Sequence, residues 1–132
     1  MKKSANQILV IFGASGDLTK RKLIPALFDL HLQDLLPEKF AVLGASRTKL
    51  SNEDFREKAD EYLPENENVE KFKKLLFYEP VSPFESKDFG KLKNRLETLS
   101  TERNIEANYV FYLSTPPSVY GEISKNLSEA GL

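Results

Sequence analysis

Residues 8–18 read ILVIFGASGDL, and this stretch decides the fold. Five β-favouring residues that end at a glycine predict a strand buried on both faces, as in a parallel sheet. The glycines that follow allow a sharp turn, and the next apolar residues, Leu23, Leu27 and Leu30, recur at helical spacing, with Ile24 beside Leu23. The stretch therefore predicts a strand, a tight glycine turn and a helix whose leucine stripe faces inward.

Strand and helix alternate along the rest of the chain. Three further strands are predicted over residues 40–43, 75–78 and 109–113, and Gly44 is expected to end the first of them. Apolar residues at helical spacing predict three further helices, with the stripes Phe55, Ala59, Tyr62, then Phe89, Leu92, Leu96, Leu99, and then Val119, Ile123, Leu127, Ala130. This order predicts an α/β fold: a Rossmann-type, doubly wound parallel sheet with helices on both faces, in a single domain over residues 1–132.

Local signals mark the ends of several elements. Pro25 is compatible with the first helix only near the start of that helix. Ser51 followed by Asp54 resembles a capping box, and Gly131 is expected to cap the last helix. The polar stretch 64–68 is expected to be a loop, and it is the segment with the strongest signal for disorder.

The composition is that of an ordinary globular protein. Its 132 residues correspond to one domain, and 40% hydrophobic residues are enough for a core. A formal net charge of -1 gives no general attraction for nucleic acid or for an anionic membrane. The absence of cysteine excludes a disulfide framework, a cysteine-based zinc site and a thiol nucleophile, and it is consistent with a cytoplasmic protein. The apolar run 8–12 is too short for a signal-peptide core or a membrane span.

The glycine turn predicts a nucleotide site at the carboxyl end of the first strand. In doubly wound folds the ligand lies outside the carboxyl ends of the strands, where the strand order reverses. Gly13 and Gly16 allow the backbone to approach a pyrophosphate, and free N–H groups at the helix N-terminus meet its charge. The spacing is G-x-x-G and not the common G-x-G-x-x-G, so a tight strand-to-helix turn without a ligand remains an alternative.

Three cations near the start of the first helix add to this interpretation. Lys20, Arg21 and Lys22 lie where the helix dipole disfavours positive charge, by roughly 0.3–1 kcal/mol each at low salt. A bound polyphosphate would reverse the sign of that effect. The alternative is that the three side chains are simply solvated.

The end of the second strand bears on the choice of cofactor. NAD-binding folds often have an aspartate or glutamate there, which accepts hydrogen bonds from the ribose 2′-hydroxyl. Here Ser46, Arg47 and Thr48 occupy that place. A guanidinium pairs with a 2′-phosphate, which a carboxylate would repel, and two hydroxyls add hydrogen bonds. The pattern favours NADP over NAD, with an arginine exposed in a loop as the alternative.

Three segments of the chain resemble the glucose-6-phosphate dehydrogenase family. Residues 13–28, GASGDLTKRKLIPALF, are similar to the loop that holds the coenzyme phosphates in that family. Residues 36–38, LPE, followed by a strand and by GASR at 44–47, resemble the next landmark, whose arginine grips the 2′-phosphate of NADP. Residues 112–120, YLSTPPSVY, resemble the segment that runs beside the coenzyme. The motifs occur in the family's order and span almost the whole chain.

The resemblance implies an activity and a set of site residues. The family oxidises glucose 6-phosphate to 6-phosphoglucono-lactone in the pentose phosphate pathway and reduces NADP. Hydride passes from the sugar C1 to the nicotinamide while a histidine removes the hydroxyl proton. The resemblance implies that the following residues bind the cofactor: Gly13, Ala14, Ser15, Gly16, Asp17, Leu18, Thr19, Lys20, Arg47 and Tyr120. For Asp17 a structural role is an alternative, because its carboxylate could accept backbone N–H bonds within the turn.

The resemblance also implies what this chain is expected to lack. The family continues into a fifth strand that ends in Glu-Lys-Pro, and then into a catalytic α+β domain with the sugar-phosphate ligands, the catalytic histidine and the oligomer interface. The single histidine here, His31, is expected to be a surface or partly packed helix residue. We therefore expect a truncated coenzyme domain with no catalytic residue and no metal site. Alone the domain should be inactive. We expect binding of glucose 6-phosphate and formation of homo-oligomers only in the full-length enzyme.

Two other interpretations remain open. An NAD(P)-dependent oxidoreductase of the extended short-chain type would use a Tyr-x-x-x-Lys pair, whereas Tyr120 is followed at that spacing by Ser124. A non-catalytic nucleotide-sensing or interaction module would have a degenerate site, and the intact glycines and Arg47 argue against it. Because some family members accept both NAD and NADP, the strictness of coenzyme choice also remains open.

Overall fold

The computed structural model describes residues 5–132, in which strands and helices alternate. The strands are β1 (Gln7–Phe12), β2 (Phe40–Ser46), β3 (Leu76–Pro80) and β4 (Tyr109–Leu113). The helices are α1 (Ile24–Leu32), α2 (Asn52–Asp60), α3 (Val69–Lys73), α4 (Ser86–Glu102) and α5 (Tyr120–Glu129). A π-helical turn, Thr19–Leu23, leads into α1, and a 3₁₀ turn, Pro117–Val119, leads into α5.

The four strands form one parallel sheet in the order β3-β2-β1-β4. The chain therefore builds outward from β1 to β2 and β3, and then crosses back to place β4 on the other side of β1. Phe12 pairs with Ala45 on one side and with Leu113 on the other, so three strands end almost level. The predicted Rossmann-type fold is confirmed, and its strand order reverses beside the glycine turn, where ligands of such folds bind.

Each face of the sheet buries its own apolar core. Ile8, Val10 and Phe12 of β1 pack in the core beneath α4 and α5. Ile11 belongs to the opposite core, beneath the first three helices. The four predicted α4 residues, Phe89, Leu92, Leu96 and Leu99, are all buried, as is Ile123 of α5. Each such side chain contributes about 1.5–3 kcal/mol, so the sheet is held from both sides.

The inward stripe predicted for the first helix is confirmed at Leu23, Leu27 and Ile24, which pack in or against the core, but it is wrong at Leu30. Ile24 and Phe28 are the buried residues, whereas Leu30 is 37% exposed. The reason lies in the π-helical turn just before α1, which holds more residues per turn than an α-helix and so rotates the side chains that follow. Pro25 has no N–H to donate, and a proline is a common cause of such an interruption in the helix ladder.

The second strand is longer than predicted, because Gly44 does not end it. Gly44 pairs with Ile11 and with Tyr78 inside the sheet. A Cβ at this position would lie 2.8 Å from the Cβ of Ala14 and 2.9 Å from the ring of Phe55. The glycine therefore allows the glycine turn and α2 to pack close against the strand, and β2 continues to Ser46.

The predicted helix ends are confirmed, and one helix was missed. Ser51 and Asp54 form both hydrogen bonds of a capping box at the start of α2. Gly131, with φ of 80°, follows α5. The short helix α3 was not predicted, and its Val69 and Phe72 are buried. Among residues 5–132, no helix is long and apolar enough to cross a membrane.

Candidate functional site

The carboxyl ends of β1, β2 and β4 enclose a cavity of about 330 Å³. The glycine turn after β1 forms its floor, and the loops after the other three strands form its walls. Residues that are up to about a hundred positions apart in the sequence come together here, because the carboxyl ends of parallel strands lie at the same edge of a sheet. The lining residues are Phe12, Gly13, Ser15, Gly16, Ala45, Ser46, Arg47, Thr48, Val81, Pro83, Phe84, Ser114, Thr115, Pro116 and Val119.

The glycine turn is held rigidly from the sheet side. The Gly13 N–H donates to the Ala45 carbonyl at 2.8 Å, and the Gly16 N–H donates back to the Gly13 carbonyl at 2.9 Å. The hydroxyl of Thr19, which is fully buried, also donates to the Gly13 carbonyl at 3.2 Å. Gly13 has φ of 82°, in the left-handed region that favours glycine.

Three backbone N–H groups of this turn have no acceptor within the described part of the chain. They belong to Ser15, Asp17 and Leu18, and they lie where the chain enters the first helix. Unpaired N–H groups at a helix start carry partial positive charge and are suited to holding an anion. The turn can therefore bind a phosphate through backbone groups, without a charged side chain of its own.

Two buried hydroxyls in the cavity wall also lack partners. The hydroxyl oxygens of Ser114 and Thr115 are inaccessible and make no hydrogen bond with any described residue. The Ser114 N–H donates to the Phe12 carbonyl at 2.9 Å, which continues the β1–β4 pairing and fixes both residues beside the glycine turn. An unpaired buried hydroxyl costs about 1–3 kcal/mol, so these two atoms are a local cost in the wall beside the glycine turn.

Arg47 is the one charged side chain among the described residues that line the cavity. It follows β2 directly, it is exposed, and it makes no ion pair with any residue from 5 to 132. No carboxylate from the described residues lines the cavity. The side chains that line the site therefore carry a positive charge, and the Arg47 guanidinium can pair with a carboxylate or a phosphate.

The described structure brings some of the predicted site residues together and leaves others apart. Gly13, Ser15, Gly16 and Arg47 line the cavity. The others do not: Ala14 and Thr19 are buried beneath the turn, Lys20 is half-buried, and Asp17, Leu18 and Tyr120 are exposed.

The structural alternative for Asp17 was wrong, and the neighbouring cations do not enter the cavity. The Asp17 carboxylate accepts no hydrogen bond from the turn among the described residues, and it lies 4.0 Å from Arg21 Nε in an exposed pair. The Arg21 guanidinium also lies 5.4 Å from the centre of the Tyr62 ring. Such exposed pairs contribute little to stability, so this surface stays available to other charges.

His31 lies at the opposite end of the sheet, as a partly packed helix residue. Its ring centre lies 6.3 Å from that of Phe28 and 5.6 Å from that of Phe72. Burial lowers the pKa of His31, the charge of Lys71 lowers it further, and Asp34 opposes both. His31 lines a separate cavity of about 420 Å³ at the amino ends of the strands. That cavity contains no part of the glycine turn, so we assign no nucleotide to it.

Sequence reasoning missed two cavity residues that follow β4 and one buried residue within β3. Ser114 and Thr115 were quoted only as part of a motif, although they follow β4 directly and a position at a strand end was the available signal. Tyr78 was assigned only to a strand. Its hydroxyl donates toward the loop that carries Arg47, and nothing in the local sequence indicates this contact. No group of three or more histidine, aspartate or glutamate residues within 5–132 could hold a metal ion.

Comparison with known proteins identifies the family. The family model described as glucose-6-phosphate dehydrogenase, NAD binding domain, matches residues 10–132. A glucose-6-phosphate 1-dehydrogenase of Aggregatibacter actinomycetemcomitans is 47% identical, covering 98% of this chain and 27% of that protein. The enzyme of the same name from Treponema pallidum is 42% identical over 94% of this chain and 26% of its own length. The chain thus spans about a quarter of the length of these curated relatives.

Solved structures show the same fold. A glucose-6-phosphate dehydrogenase in complex with its substrate glucose 6-phosphate superposes with a TM-score of 0.88 at 33% identity, over 98% of this chain and 28% of that one. A glucose-6-phosphate 1-dehydrogenase from Mycobacterium avium superposes with a TM-score of 0.82 over 96% of this chain and 27% of its own, and at 22% identity it supports the fold alone. The chain therefore belongs to the glucose-6-phosphate dehydrogenase family, within which it matches the NAD binding domain.

Proposed function

We propose that this chain is the coenzyme domain of a glucose-6-phosphate 1-dehydrogenase and that it binds NADP⁺ in the cavity at the carboxyl ends of β1, β2 and β4. The observation that carries the proposal is the unpaired Arg47 at a cavity free of carboxylates. The domain is taken to span residues 1–132. When bound, NADP⁺ would supply the nicotinamide that accepts a hydride from the substrate.

The residues of the turn would hold the pyrophosphate by their backbone. The free N–H groups of Ser15, Asp17 and Leu18 are the donors, and Gly13 and Gly16 keep side chains out of the way. This assigns the turn residues of the predicted site mainly backbone roles. Thr19 and Ala14 act from beneath the turn by fixing its shape, and Lys20 adds positive charge near its start.

The loop after β2 would select the phosphorylated coenzyme. The Arg47 guanidinium would pair with the 2′-phosphate, and the hydroxyl of Thr48 lies beside it on the same loop. Ser114 and Thr115 would form the wall of the cavity beside the glycine turn. The exposed aromatic ring of Phe84, which is 57% accessible, offers an apolar face for a planar base at the cavity mouth. We place Tyr120, at the start of α5, beside the coenzyme at the outer rim.

The wider activity follows from the family. We propose that the protein containing this domain oxidises glucose 6-phosphate to the lactone with NADP⁺ in the pentose phosphate pathway, that it works in the cytoplasm, and that it assembles as a homo-oligomer. The named relatives and the substrate complex of the solved relative support this assignment. No described side chain in the cavity is a histidine or a carboxylate, so the described lining of this cavity supplies no proton acceptor.

Titration calorimetry of NADP⁺ and NAD⁺ against the 132-residue chain tests the coenzyme assignment. We expect tighter binding of NADP⁺, and a loss of about 10- to 100-fold in NADP⁺ affinity in Arg47→Ala, because the variant removes charged hydrogen bonds. NAD⁺ affinity should change little. Lys125→Ala is the matched control, since it removes an exposed cation on α5, and no residue of α5 lines the cavity. Equal affinities for the two coenzymes in the unmodified chain would contradict the proposal.

A further inference from the structure

The loop that carries Arg47 is held by side chains and not by its own backbone. The N–H groups of residues 47–50 make no backbone hydrogen bond with any described residue. Arg47 and Thr48 are both exposed. An exposed loop without backbone bonds samples many conformations, which would spread the guanidinium over a wide volume. A 2′-phosphate site at this loop therefore requires a separate anchor.

Tyr78 of β3 supplies that anchor from inside the protein. Its side chain is only 3% exposed, and its ring centre lies 5.3 Å from that of Phe55. Its hydroxyl lies 2.6 Å from the Thr48 carbonyl and 3.3 Å from the Ser46 carbonyl. It also contacts the Ser46 hydroxyl at hydrogen-bond distance. One buried hydroxyl thus contacts the residue on each side of Arg47.

The same hydroxyl begins a chain that reaches the glycine turn. The Ser46 hydroxyl donates to the Ser15 hydroxyl at 2.9 Å, and the Ser15 hydroxyl lies 3.2 Å from that of Thr48. Ser15, Ser46 and Thr48 all line the cavity, whereas Tyr78 does not. The chain therefore ties the two loops that the proposed function assigns to the pyrophosphate and to the 2′-phosphate, and it does so from behind the cavity wall.

The number of hydroxyl protons limits how the hydrogen bonds around Tyr78 can be arranged. Tyr78 has one hydroxyl proton and three oxygens within reach, so it can donate to the Thr48 carbonyl or to the Ser46 hydroxyl, but not to both at once. When it donates to Ser46, the Ser46 proton points to Ser15, and the Ser15 proton is left for Thr48 or for an anion in the cavity. Hydrogen bonds in such a chain reinforce one another. Burial raises the pKa of Tyr78, so the proton is retained at neutral pH.

We propose that Tyr78 is a positioning residue for the 2′-phosphate subsite, which fixes the Arg47 loop through Ser46, Thr48 and Ser15. The inference rests on the proposed binding of NADP⁺, and it goes further by assigning coenzyme preference to a residue that does not reach the coenzyme. It makes a distinct expectation: the hydroxyl of Tyr78 should matter for NADP⁺ and not for NAD⁺, which lacks the phosphate.

The test is calorimetry of both coenzymes with Tyr78→Phe. We expect NADP⁺ affinity to fall by about 3- to 10-fold, and NAD⁺ affinity to stay within about twofold, since one hydrogen-bond anchor is lost and the ring still packs. Tyr109→Phe is the matched control. It removes a tyrosine hydroxyl that lies 3.3 Å from the Ser100 hydroxyl at the other end of the sheet, and it should leave both affinities unchanged.

The outcomes separate the two proposals. If the unmodified chain shows no preference for NADP⁺, the proposed function fails and this inference fails with it. If the unmodified chain prefers NADP⁺, and Tyr78→Phe leaves that preference unchanged or lowers the affinity for both coenzymes equally, the inference alone is overturned. Should Tyr78→Phe not fold, Ser46→Ala breaks the same chain. Hydrogen exchange of the Val81 amide, which donates to the Ser46 carbonyl at 2.8 Å, should then speed up in that variant without ligand, and unchanged exchange would overturn the inference.

Discussion

The Ser114 carbonyl group closes over Gly13, and a Cβ on Gly13 would lie 2.9 Å from the Ser114 carbonyl carbon. The pairing of β1 with β4 creates this contact, so the shape of the glycine turn and the position of the fourth strand depend on each other. Gly13 is thus required by the fold in addition to any ligand.

Gly13→Ala should destabilise the domain by about 3 kcal/mol. The substitution forces a side chain into a backbone with φ of 82° and against the Ser114 carbonyl. Urea unfolding followed by circular dichroism measures the change. Gly90→Ala is the control, because a Cβ there meets nothing within 4 Å in helix α4, and it should stabilise by about 0.5–1 kcal/mol. Equal stabilities of the two variants would refute this account of Gly13.

Thr19→Val should cost about 1–2 kcal/mol, whereas Thr19→Ser should cost less. Valine keeps the shape of the fully buried side chain but removes the hydroxyl that donates to the Gly13 carbonyl. Serine keeps that hydroxyl. The free energy of unfolding of the three proteins decides the point, and a valine variant as stable as the unmodified chain would show that the bond contributes nothing.

His31 should make the domain less stable as the pH falls below about 6.5. Burial holds the pKa of His31 below its unfolded value of 6.5. As the pH falls, the unfolded chain therefore takes up a proton before the folded chain does, and this protonation stabilises the unfolded state. Stability is therefore full above the unfolded pKa and is lost as the pH falls toward the folded pKa. His31→Gln should remove this part of the dependence. Melting temperatures of both proteins at about pH 7.5 and 5.5 measure it, and parallel losses would exclude a contribution from His31.

The chain should self-associate at the free edge of β4. Within residues 5–132, β4 has a neighbouring strand on one side only, and its Val110 and Tyr112 are 43% and 42% exposed. Unpaired edge groups beside apolar side chains favour pairing with a second copy. Val110→Lys should reduce the association seen by light scattering at high concentration. Thr98→Lys, on the exposed surface of α4, adds the same charge elsewhere and should not. An unmodified chain that stays monomeric would contradict the prediction.

The purified chain should bind coenzyme without turning over glucose 6-phosphate. No described residue in the cavity can take up a proton near neutral pH, and His31 lies at the opposite end of the sheet. Spectroscopic detection of NADPH with glucose 6-phosphate present tests this. Formation of NADPH above that of a mock preparation would overturn it.

The sequence was sufficient to predict the fold because its patterns are local. The apolar run of β1, the glycine turn and the α4 stripe each predict one element. The alternation of strands and helices then allows few topologies. The end of the α1 stripe was not predictable in the same way, since Phe28 and not Leu30 is buried after the π-helical turn. Helix α3, with five residues, is too short to show a period.

The site was predictable only where one segment carries the whole signal. Gly13, Gly16 and Arg47 follow directly after strands, and a strand end is visible in the sequence. The Tyr78 hydroxyl reaches Thr48 across thirty positions of sequence, and that contact exists only once β2 and β3 lie side by side. Contacts of this kind depend on tertiary packing, which no local pattern encodes.

The pairing of β1 with β4 also sets the order in which the domain can form. Ile8 pairs with Tyr109, so this pairing closes a loop of about 100 residues, an entropic cost that local contacts do not carry. Gly13 is synthesised early, but the Ser114 carbonyl that packs against it is synthesised about 100 residues later. Synthesis must therefore pass Ser114 before the walls of the cavity around the glycine turn are complete. Parallel sheets with such distant pairings fold slowly, and chaperones have time to act on the exposed β1 edge.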